Sequence, residues 1–137
     1  MNQHLYLRAY MAGITVPTIF LLVAATAFCI WRYVVNVPVP IERVIVFPMA
    51  VVPNAWGVWN MAFVATHSKW RTPIGLHGAL LPFLLAPLGL AMTGILHFSI
   101  PHFATKIFPV AAPIGLAVYY LAWKYLVGFL NRELGIV

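Results

Sequence analysis

Four long apolar runs separated by short polar stretches organise the chain: residues 10–35, 41–66, 73–98 and 106–130. Crossing ~30 Å of hydrocarbon takes about 20 helical residues, and each run is long enough. A chain in lipid must satisfy its own backbone N–H and C=O groups, so apolar runs of this length predict helices. The connections are short, which sets neighbouring helices antiparallel. The pattern therefore predicts an all-α membrane protein. Its single domain, residues 1–137, holds four transmembrane helices in an antiparallel up-down bundle.

Prolines and hydroxyls mark the boundaries. Val37-Pro38-Val39-Pro40 cannot be helical, because each proline pushes its predecessor toward extended geometry. Thr72-Pro73 reads as a hydroxyl cap followed by proline in the first helical position. Ser99-Ile100-Pro101 closes the third run, Thr105 caps the fourth, and Gly135 stops it. Pro109 lies at the first turn of the fourth run, and six further prolines lie well inside the runs, at 17, 48, 53, 82, 87 and 113. Each removes a backbone donor and predicts a bend.

A faint internal repeat runs through this pattern. Phe47-Pro48-Met49-Ala50 in the second run resembles Phe108-Pro109-Val110-Ala111 in the fourth, and Gly13-x-x-x-Pro17 in the first resembles Gly78-x-x-x-Pro82 in the third. This predicts two tandem helical hairpins related by a pseudo-twofold along the membrane normal.

Composition agrees with lipid as the main solvent. The chain is 64% hydrophobic and 7% charged, whereas a soluble domain carries about 25% charged residues. The net charge of +6 comes from single basic residues between apolar runs. These form no patch for nucleic acid and read as anchors at the headgroups. Arg8, Lys69, Arg71 and Arg132, with Lys124 nearby, fall on the side of the N-terminus; Arg32, Arg43 and Lys106 fall on the other. That bias predicts both termini in the cytoplasm, with a bacterial inner membrane as the setting. One cysteine, Cys29, excludes an internal disulfide.

Candidate chemistry is sparse. With no aspartate and only Glu42 and Glu133 as carboxylates, the chain lacks a Ser/His/Asp triad and an acid–base pair for hydrolysis. It also lacks a glycine-rich phosphate loop. His67 and His77 close the second run and open the third, at depths that could match. Two imidazoles facing each other there would ligate a haem iron, making haem b the cofactor to look for. The simpler reading is a pair of interfacial histidines. On the other side His97 and His102, with Glu42, form a weak candidate metal site, opposed by Arg43 and Lys106. Asn54, Trp56, Trp59 and Asn60 lie near the middle of the second run. Amides there are costly in hydrocarbon and must face protein, water or a ligand. They mark a candidate substrate or quinone contact, set against plain interhelical hydrogen bonding.

Three functions fit this reading. The first is a non-catalytic accessory subunit, surrounded by lipid and packed against other membrane proteins or copies of itself. The second is a haem- or quinone-binding electron-transfer subunit. The third is a small dimeric carrier or channel.

Overall fold

The structure, a computed structural model, describes residues 4–39, 41–95, 97 and 102–136. These residues are almost wholly helical, with no strand among them. Helix α1 spans Leu5–Tyr33. Helix α2 covers residues 41–70 and is interrupted by a π-helical turn, Ile45–Met49, between Ile41–Val44 and Ala50–Trp70. Helix α3 spans Ile74–Ile95. Helix α4 covers residues 102–133, with a π-helical turn at Ala122–Val127 between His102–Leu121 and Gly128–Glu133.

Among the described residues three helical stretches are long and apolar enough to cross a membrane: Leu5–Tyr33, Ile74–Ile95 and Thr105–Glu133. The second apolar run differs from its expectation. It is helical, but the π turn around Pro48 splits it, and its longer part carries Asn54, Asn60, His67, Ser68 and Lys69. Proline lacks the N–H that an α-turn needs and its ring crowds the carbonyl one turn earlier, which accounts for the widened turn.

The ends show which boundary signals were decisive. Helix α3 begins directly after Thr72-Pro73, as expected. It is described as far as Ile95; residues 96 and 98, at the expected end of the third run, lie outside the described residues, and His97 takes a left-handed φ of 52°. Thr105 lies inside α4 rather than capping it, because the helix starts at His102. Gly135 terminates α4 as expected. It takes φ 61°, its N–H reaches the Arg132 carbonyl at 2.9 Å, and the Ile136 N–H reaches Asn131 at 2.8 Å. That is a Schellman ending, which glycine adopts without a Cβ penalty. Pro40 and Ser99-Ile100-Pro101 lie outside the described residues.

Contacts fix the relative directions of the helices. Ala9 meets Asn60, Gly13 meets Gly57, and Arg32 meets Glu42, so α1 and α2 run oppositely. Trp59 meets His77 and Phe47 approaches Gly89, so α3 runs against α2. Asn131 meets Asn60 and Trp123 meets Trp56, so α4 runs with α2. Small residues permit the closest approaches. A Cβ on Gly13 would sit 2.6 Å from the Trp56 carbonyl oxygen, and one on Gly78 would fall on the Trp123 ring.

The core occupies the half of the molecule that holds both termini. Trp56, Leu81, Leu85, Trp123 and Val127 form its centre, with Ala9, Ala12 and Phe63 also buried. Arg8 ties this half together by donating from Nη1 to the Leu134 carbonyl at 2.8 Å. The other half is thinly packed. Among the described residues nothing approaches within 4 Å of a Cβ built on Gly94 or Gly115, and Phe20, Phe83 and Phe108 are exposed.

Candidate functional site

The stretch Asn54–Asn60 does not converge on one site. An α-helix turns about 100° per residue, so its polar and aromatic members point different ways. Trp56, Asn60 and Phe63 share the buried face of α2, together with Pro53 and Gly57. Trp59 faces α3. Asn54 is exposed and meets α1.

Asn60 is fully buried and hydrogen-bonded to saturation at its nitrogen. Its Nδ2 donates to the Ala9 carbonyl at 2.7 Å and to Asn131 Oδ1 at 2.8 Å. Asn131 Nδ2 donates back to Asn60 Oδ1 at 3.0 Å. The reciprocal amide pair joins α2 to α4, and its third bond reaches α1. A buried amide is tolerable only when paired in this way. Sequence reading missed Asn131, which stands next to Arg132 at the end of the fourth run and looks interfacial.

His77 is held by a second reciprocal arrangement. Trp59 Nε1 donates to the His77 carbonyl at 2.8 Å, and His77 Nε2 lies 3.1 Å from the Trp59 carbonyl. A carbonyl can only accept, so Nε2 carries the ring proton. The two rings stack at 4.8 Å, with Phe63 at 5.3 Å and Trp123 at 6.0 Å from the imidazole. His67 and His77 are thus close, but Phe63 packs against both, lying 4.8 Å from His67. Axial ligation of a haem between them would require Phe63 to move and His77 Nε2 to release its carbonyl.

His77→Phe keeps a flat ring against Trp59 and removes the bond to its carbonyl. The expected cost is about 1 kcal/mol of stability, the usual net worth of one hydrogen bond. Thermal unfolding followed by near-ultraviolet circular dichroism, which reports on the packed tryptophans, is the check. A much larger loss would mean that the imidazole does more than bridge α2 and α3.

On the opposite side Glu42 accepts from Arg32 Nη1 at 2.7 Å. Glu42 also stands in the first turn of α2, where the positive end of the helix dipole favours a carboxylate. His97 is exposed, and the side chain of His102 lies outside the described residues. Among the described residues no group of three or more His, Cys, Asp or Glu side chains is placed to hold a metal ion.

A groove of about 240 Å³ lies between α1 and α2 and is open along one side. Tyr10, Ile14, Thr18, Leu21, Met49 and Asn54 line it. The Tyr10 hydroxyl donates to Asn54 Oδ1, and Asn54 Nδ2 donates to the Ala50 carbonyl at 2.7 Å. Among the described residues no charged side chain lines this groove.

No family model matches the chain. No curated protein and no solved structure matches it either.

Proposed function

We propose that the chain is a non-catalytic membrane subunit that crosses the bilayer four times and packs, through its thinly covered half, against other membrane proteins or further copies of itself. One contrast carries this reading. Inside the packed half the buried amides and His77 bond to each other or to backbone, as Asn60 does with Asn131 and His77 with Trp59, while the indole N–H groups of Trp56 and Trp123 and Nδ1 of His67 have no partner among the described residues. None of these side chains lines the groove between α1 and α2. Yet only 11%, 17% and 11% of the most apolar stretches of the three candidate spans are buried within the chain. Apolar surface on that scale needs lipid or protein to cover it.

The opposed directions of α1, α2 and α3 support an up-and-down bundle in which α2 also crosses. The Gly13 and Gly78 approaches are the contacts that two tandem hairpins would each need. Arg8 and Leu134 hold both termini on one face, and the basic bias toward that face favours the cytoplasm of a bacterial inner membrane. The electron-transfer reading through haem draws less support, given the position of Phe63. A carrier path would need Asn54 and Asn60 to face one channel, and they point apart.

Native mass spectrometry of the full chain in a mild detergent tests the proposal. The expected species are larger than the 15.2 kDa protomer, as homo-oligomers or as complexes with co-purifying membrane proteins. A solitary protomer across a range of gentle detergents would overturn it.

A further inference from the structure

We propose that the groove between α1 and α2 binds the head of an uncharged, bilayer-soluble carbonyl compound of the quinone class. The first observation is a pair of hydrogen-bond donors without partners. Asn54 Nδ2 has two N–H groups and uses one on the Ala50 carbonyl. Its Oδ1 is taken by Tyr10. The second N–H has no partner among the described residues.

Thr18 is the second donor. Thr15, Thr26, Thr66 and Thr93 all turn their hydroxyls back onto carbonyls of their own helices, at 2.7–2.8 Å. That is how a helix in lipid normally satisfies a threonine. Thr18 lines the groove and makes no such bond. A groove that sets Ile14, Leu21 and Met49 beside the polar groups of Tyr10, Thr18 and Asn54, with two open donors, calls for a ligand with two acceptors.

Depth narrows the class. Asn54 stands fifteen residues before Lys69 and twelve after Glu42, which puts it about 22 Å and about 18 Å from these helix ends. With α2 crossing the bilayer as proposed above, on which this step rests, Asn54 lies near the middle of the hydrocarbon, away from water and from the ester carbonyls of lipids at the interface. The acceptors must arrive on a molecule that dissolves in the bilayer core. With no charge lining the groove, a charged ligand would be buried unpaired. The volume, about 240 Å³, is below the ~300 Å³ at which drug-sized sites begin. It suits a single ring with its tail left in lipid. A quinone ring meets each condition: it is flat and neutral, with a carbonyl at either side. The inference concerns binding alone, and is independent of whether the chain assembles with partners.

The test uses the full chain in quinone-free nanodiscs, photolabelled with an azidoquinone and mapped by fragment mass spectrometry. Labelling is expected within residues 10–21 and 49–54, displaced by decylubiquinone but not by methyl laurate. Displacement by methyl laurate would assign the groove to lipid esters instead. Asn54→Leu and Thr18→Val are each expected to weaken displacement by about tenfold, the equivalent of one lost hydrogen bond of ~1.4 kcal/mol. Both residues are exposed, so thermal unfolding should confirm that the variants remain folded. Labelling spread along the chain, or unchanged by both substitutions, would overturn the proposal. So would an Asn54→Leu variant that loses its native-mass assembly while wild-type protein takes no label, since a partner helix would then fill the groove.

Discussion

Gly78→Ala is expected to destabilise the protein by about 3 kcal/mol, at the upper end of the usual cost of overpacking a core. A Cβ at this position would fall on the Trp123 ring and beside the Trp123 Cβ. The Cβ is fixed to the backbone of α4, so a rotamer change cannot clear it. Nor has the ring anywhere to go. Trp123 is fully buried, with Trp56 at 5.3 Å and His77 at 6.0 Å. Helices α3 and α4 would have to separate, giving up the contacts of Leu81, Leu85 and Val127 in the same cluster. Gly94→Ala and Gly115→Ala provide the comparison, because none of the described residues lies within 4 Å of either new methyl group. There alanine removes backbone freedom without a clash, and stability should be unchanged or rise by about 0.5–1 kcal/mol. Thermal unfolding of the three variants in one detergent measures the difference. If Gly78→Ala melts with the wild type, α3 does not lie on Trp123.

The helices were legible in the sequence because their signals are local. Apolar length set their existence, Thr72-Pro73 set the start of α3, and Gly135 set the end of α4. Thr105 misled because a hydroxyl can cap a helix only where the preceding backbone leaves helical geometry, and here the helix already runs from His102. The site was less legible. Asn54 and Asn60 are close in sequence and both polar, yet six residues at about 100° each place them on different faces. Periodicity alone contains that information. Two things were not local. The partnership of Asn60 with Asn131 depends on which helices abut. The placing of Phe63 against both His67 and His77 depends on the angle between α2 and α3. A matched depth for two histidines says nothing about what lies between them.

Asn60→Leu is expected to cost about 2 kcal/mol, within the ~1–3 kcal/mol range for leaving a buried polar group unpaired. Asn131, 1% exposed, would lose both of its bonds to Asn60 and keep its amide out of water. Asn131→Leu should cost a similar amount, moderated because Asn60 retains the Ala9 carbonyl at 2.7 Å. Interhelical hydrogen bonds in membranes average only ~0.6 kcal/mol, since the separated helices also find partners. The greater part of each single loss is therefore the stranded amide rather than the bond itself. That distinction makes the double variant informative. With leucine at both positions no polar group is left stranded, and the apolar side chains can fill the space between α2 and α4. The pair should then be less destabilised than the sum of the singles by about 1–2 kcal/mol, a coupling typical of residues in direct contact. Reversible unfolding of the four proteins in one detergent gives the cycle. Strict additivity would mean that Asn60 and Asn131 do not touch, and α4 would then have to pack elsewhere on α2.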